Sequence, residues 1–128
     1  MYSSVKMKYL FSLFLFCGYA SAHEFTPTYP ELEPSMLTGI YKAEMELFNS
    51  REEIEYYGIS VYDEEWKPIP FASEDKLIKI DYLGRKSLVV YVRQQDKHRV
   101  KYICSKSKIL ADVPETSVVA SRICSKIQ

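Results

Sequence analysis

From about residue 42 onward, apolar and polar side chains trade places with a period of two. Ala43, Met45 and Leu47 alternate with Lys42, Glu44 and Glu46, the pattern of a strand whose sheet has one wet face. Tyr57, Ile59 and Val61 repeat it, and Ile78, Ile80 and Tyr82 form a third row against Lys79 and Asp81. Leu88, Val90 and Val92 make a fourth row, followed by Val100, Tyr102 and Cys104. A last run, Ser117 to Ile127, is rich in β-branched residues and predicts a final strand. Turn signals separate these rows at Asn49-Ser50-Arg51, Asp63-Glu64-Glu65, Leu83-Gly84-Arg85-Lys86 and around Pro114. The stretch Arg51 to Tyr57 has helix-forming glutamates but runs into Gly58 and β-branched residues, which predicts a turn leading into a strand. Trp66, in Glu65-Trp-Lys-Pro68, is expected to anchor the core.

The opening segment breaks this rhythm. Lys6 and Lys8 precede an apolar run through Phe16, and Ala20-Ser21-Ala22 closes it with small residues, so residues 1–22 read as a cleavable secretory signal. The run is about ten residues, too short for a helix to cross a hydrocarbon core of roughly 30 Å. Cys17 lies inside it without the small-residue context of a lipoprotein. The remaining chain, 23–128, is one domain's worth of sequence with 15 basic and 17 acidic side chains. No basic excess points to nucleic acid, and no second apolar stretch points to a membrane span. Two cysteines remain, Cys104 and Cys124, which in an exported chain read as one disulfide rather than a metal site. Six or seven short strands, with no strand–helix alternation and no dinucleotide-type glycine fingerprint, predict an all-β fold. The expected architecture is an immunoglobulin-like antiparallel β-sandwich of about seven strands. The segment His23 to Pro34 is expected as an edge strand or a free arm.

The order of features resembles the N-terminal, immunoglobulin-like domain of the periplasmic pilus (fimbrial) chaperones. Thr26-Pro27-Thr28 stands where that family opens its first strand, and Met45-Glu-Leu-Phe-Asn-Ser50 resembles its strand ending in an asparagine turn. Tyr57-Gly-Ile-Ser-Val-Tyr62 corresponds to the next strand, and residues 80–93 resemble the glycine turn and valine-rich strand ending in arginine. Ser121-Arg-Ile-Cys124 is similar to the family's last strand. The resemblance implies a periplasmic or secreted protein whose last two strands are joined by Cys104–Cys124. It also implies a protein partner, a pilin-like subunit or a component of a surface assembly, bound by strand addition at an edge; the alternative is that the chain is itself a structural or accessory component of a surface or secretion assembly. At the family's two basic cleft positions this chain has Tyr29 and Cys124.

The partner-binding candidates are Val119, Arg122 and Ile123 on the last strand, with the 24–32 arm as a second possible edge. Tyr56 and Tyr62 join them: if Tyr57, Ile59 and Val61 face the core, Tyr56, Gly58, Ser60 and Tyr62 face outward, and exposed tyrosines suit a protein-binding surface. Carboxylates cluster at turns, no serine stands in a nucleophile elbow, and no catalytic group is nominated. No cofactor is called for. His23, with a free α-amine after cleavage, and His98 are the only histidines of the processed chain and form a minor copper-site candidate.

Overall fold

A computed structural model of the chain describes residues 23–108 and 121–128. The signal-like segment, Val119 and the proline region before it lie outside the described residues. Among the described residues eight strands, β1 (Glu24–Thr26), β2 (Glu33–Pro34), β3 (Ile40–Phe48), β4 (Tyr56–Tyr62), β5 (Leu77–Lys79), β6 (Arg85–Arg93), β7 (Tyr102–Lys108) and β8 (Arg122–Lys126), form two four-stranded sheets. All pairings are antiparallel. The fold is the immunoglobulin-like β-sandwich that the alternation predicts.

In the first sheet β6 runs along the whole of β3, from Ile40 opposite Arg93 to Phe48 opposite Arg85. β1 and β2 share the other edge of β3, at its two ends. The second sheet has the order β5-β4-β7-β8. Ala43, Met45 and Leu47 of β3 meet Tyr57, Ile59 and Val61 of β4 and Leu88, Val90 and Val92 of β6 in the core. The burial of these rows confirms the period-two reading for β3, β4 and β6.

Three expectations are corrected. The row Ile78, Ile80, Tyr82 ends at Ile80, and Tyr82 is exposed in the turn before Gly84. In β7 the residues that face the core are Ile103, Ser105 and Ser107, so Tyr102 and Cys104 point outward. The sequence misleads there because two inward positions are serines, buried through hydrogen bonds rather than apolar packing. Trp66 is not a core anchor: it is 43 % exposed, outside the sandwich. The turn after β4 explains why. Asp63 accepts from the amides of Glu65 and Lys67 through its side chain, and Trp66 takes a left-handed φ of 63°. That turn, closed by the Tyr62–Pro68 bridge, swings the indole over the outer face of β7.

The arm is tied down rather than free. Residues 24–26 pair with β3 in one sheet. The carbonyls of Thr28 and Pro30 then accept from the amides of Lys126 and Gln128, 3.0 and 3.2 Å, at the edge of the other.

Candidate functional site

The last strand is short, and its hydrogen bonds divide cleanly between its two edges. Ser121 and Ile127 flank β8 and both bond to the β7 side: Ser121 O accepts from Ser107 N, and Ile127 N donates to Lys101 O. Antiparallel pairs alternate, so Ile123 and Ser125 also direct their backbone groups toward β7, while Arg122, Cys124 and Lys126 direct theirs away from it. The Lys126 amide finds Thr28 O at 3.0 Å on that outer side. Among the described residues β8 is the edge strand of its sheet, with no strand paired on its outer side, although β1 approaches it there; Arg122 and Cys124 direct their backbone groups to that side. The first half of β8 therefore presents an edge without a paired strand, and the arm's hydrogen bonds to that edge are made from Lys126 onward.

Cys124 and Cys104 stand directly opposite and form the disulfide expected from the sequence, with Cα atoms 4.0 Å apart. This is slightly closer than the roughly 4.4–6.8 Å usual for a disulfide, consistent with a pair whose backbone groups point away from each other. The bridge closes across the outer face, which also carries Tyr56, Tyr62 and Tyr102. The Trp66 ring lies on Tyr102 with centroids 4.0 Å apart and planes 5° from parallel. The Arg122 guanidinium sits 4.9 Å from the Trp66 ring and 5.8 Å from that of Tyr62. Tyr56 and Tyr62 do share this outer face, while Tyr57, Ile59 and Val61 point inward. Gly58 lies between the two tyrosines because the Lys108 stem crosses it: a Cβ there would stand 2.7 Å from Lys108 Cε.

Nothing local in the sequence announces the place of His23. Its ring is buried, packed 4.6 Å from the Tyr57 ring, with Nδ1 2.9 Å from Ser121 Oγ and Nε2 2.8 Å from Ser105 Oγ. A neutral imidazole has one donor and one acceptor nitrogen, and hydroxyl rotors match either tautomer. Burial, the largest effect, pulls the His23 pKa down; the contact with Ser105 opposes this and the charge of Arg51 adds to it. Both ring nitrogens are spent on structure, fastening the start of the arm to β7 and to the start of β8. His98 is exposed in the turn before β7, beside Glu31, Lys97 and Lys101. Among the described residues no group of three or more His, Cys, Asp or Glu side chains gathers around a possible metal position.

Asn49 is the second residue that sequence reasoning undervalued. Its Nδ2 donates to Ile54 O and Ile80 O, 2.6 and 2.9 Å, and its Oδ1 accepts from Tyr57 Oη and Arg51 N, 2.6 and 2.9 Å. The asparagine at the end of a strand was legible as a turn; that its side chain is the hub of four segments was not. Burial pushes the Tyr57 phenol up to about 12, so it remains a donor.

The sandwich just described matches a solved chaperone, the DraB chaperone of E. coli, with a TM-score of 0.60 at 18 % sequence identity. The match covers 83 % of this chain and 53 % of DraB, so the chain spans about half the length of that protein. At that identity the fold is what is shared. No family model and no curated protein matches the chain.

Proposed function

We propose that this chain is an exported protein-binding domain that works without catalysis, by pairing the open edge of β8 with an extended segment of a partner. The observation that carries this reading is the pair of outward-facing backbone positions at Arg122 and Cys124. An unpaired edge is a template for an added strand: its main-chain groups supply affinity, and alternate side chains supply register. The disulfide fits an oxidising compartment and holds β8 in place while a partner binds. The fold held in common with a chaperone supports a pilin-like subunit of a surface assembly as the partner. The arm is the weaker candidate edge, since the carbonyls of Thr28 and Pro30 are already occupied by β8.

Proline scanning at one position tests this. In Arg122→Pro the lost amide is one that points away from β7, so the sandwich keeps its ladder. The expected result is that Arg122→Pro abolishes capture of the native envelope partner while Arg122→Ala, which keeps the amide, retains it. Hydrogen exchange on the complex should show new protection of the Arg122 and Cys124 amides. Unchanged exchange at both amides, or equal capture by the two variants, rules edge pairing out.

A further inference from the structure

An open sheet ends in strands whose outward backbone groups invite pairing, and among the described residues most borders of this sandwich are blunted. On the first sheet, β1 has three residues and runs into Pro27, and β2 has two, one of them Pro34. On the second, β5 has three residues, and β8 has five, with the arm bonded from Lys126 onward. β6 is different. It is nine residues long and pairs with β3 along its whole length. Its other side carries, among the described residues, only the one-residue bridge from Ala72 to Tyr91. In that bridge Ala72 N donates to Tyr91 O at 2.9 Å and Tyr91 N to Ala72 O at 2.8 Å, so Tyr91 directs its backbone groups away from β3. Backbone direction alternates along a strand, and Arg85, Ser87 and Val89 therefore direct theirs the same way. Arg85 and Ser87 are exposed and Val89 is half-buried. The stretch contains no proline or glycine, and its register with β3 is unbroken.

What fits this edge follows from its own register. Two copies related by a two-fold axis pair β6 against β6 antiparallel, and residues exchange bonds there only if their backbone groups point outward. An axis at Arg85 opposes two guanidiniums, and an axis at Lys86 opposes two ammoniums. An axis at Leu88 or Val89 calls on Tyr91, whose groups Ala72 already holds, and the latter also sets Arg85 against Arg93. An axis at Ser87 avoids each of these conflicts. It sets Ser87 on its twin, Arg85 against Val89 of the second copy and Lys86 against Leu88 of the second copy, with about six main-chain bonds. Lys86 is balanced by Asp75 of its own chain, 3.8 Å away. On the outer face Val89 lies beside Glu44 of β3, so the incoming Arg85 stands one strand beyond a carboxylate that is paired with Lys42 and 69 % exposed.

We propose that β6 is a self-association edge: two copies of this chain pair through Arg85–Val89 about a two-fold axis at Ser87, joining their first sheets into one. A pairing five residues long is a small interface, so the dimer forms and parts in the micromolar range. It uses the sheet opposite to the one that holds β8, and leaves both β8 edges free. The dimer therefore carries two β8 edges on one particle, and a partner that repeats its binding segment is held at both, with a gain in avidity. The inference rests on the β6 edge alone and stands whether or not β8 pairs with a protein.

Sedimentation equilibrium of the disulfide-bonded chain, between about 1 and 200 μM, is expected to show monomer and dimer with a dissociation constant on the order of 10 μM. Ser87→Pro removes an amide that points away from β3, so it is expected to keep the thermal midpoint and to weaken the dimer about tenfold or more. Val89→Lys sets a second cation against Arg85 of the other copy while gaining Glu44 within its own chain. It is expected to weaken the dimer without loss of stability. Crosslinking reads the register. An axis at Ser87 puts its two Cα atoms about 5.5 Å apart, within the roughly 4.4–6.8 Å that a disulfide spans, whereas two Val89 residues stand about 14 Å apart. Ser87→Cys is therefore expected to link two chains on mild oxidation, and Val89→Cys is not. A chain that stays monomeric across the whole range overturns the proposal. A dimer that crosslinks equally well at both positions, or that Ser87→Pro and Val89→Lys leave intact, also overturns it by placing the contact elsewhere.

Discussion

The Asn49 side chain is fully buried and makes four hydrogen bonds, each to a different segment: the 51 turn, Ile54, Tyr57 of β4 and Ile80. Truncation to alanine strands the Tyr57 hydroxyl and two carbonyls in the interior, where each unpaired group is penalised. Asn49→Ala is expected to lower stability by about 3 kcal/mol, read as a fall in the urea midpoint at unchanged slope. His23 makes a complementary prediction. Its pKa lies below the ordinary imidazole value in the folded chain, chiefly through burial, so the unfolded state binds the proton more readily. Its contribution is fully present above the unfolded pKa of about 6.5 and is lost as pH falls from there toward the lowered folded value. His23→Gln keeps a donor and an acceptor without the titration, so its urea midpoint is expected to change less than the wild-type midpoint between pH 7 and pH 5. Neither role was visible in the sequence. Asn49 looks like any strand-end turn residue, and nothing local links His23 to serines 82 and 98 positions away.

At the level of elements, β8 is held by less apolar packing than any neighbour. Only five residues long, it turns Ile123 and Ser125 inward; Ile123 is half-buried, and the buried Ser125 hydroxyl has no partner among the described residues. The staple to β7 compensates. Reducing Cys104–Cys124, a link across 20 positions of sequence, is expected to cost roughly 3 kcal/mol. Amide protection at 122–126 should be the first to disappear on reduction; its survival would show that β8 docks without the bridge. The alternation of β3, β4 and β6 was legible because each has one apolar and one polar face. β7 was not, because its inner face is serine and its outer face carries Tyr102 and the cysteine. Trp66 was misplaced for a related reason: hydrophobicity argued for the core, while the turn made by Asp63 set the direction of the chain.

For the whole molecule, the sandwich and its staple could be anticipated from period, turn residues and cysteine count, because these act locally or depend on composition. The candidate site could be anticipated only in part. Tyr56, Tyr62 and Arg122 were selected from strand parity and resemblance, but the open stretch of edge depends on where the arm lands, which is set by contacts between residues at opposite ends of the domain. The open length of β6 is hidden in the same way, since only the landing of Ala72 beside Tyr91 shows how little of that edge is covered among the described residues. The arm's double allegiance, to β3 through residues 24–26 and to β8 through Thr28 and Pro30, has a further consequence for how the chain reaches this state. Loop-closure entropy delays contacts between distant residues, and the seam joins His23 to Ser121 and Pro30 to Gln128. A chain that emerges from a ribosome or a translocation pore with residue 23 ahead of residue 128 has its first strand waiting for its last. Until that seam closes, both sheets keep a raw border, and this nascent form is the one most exposed to mispairing with other chains.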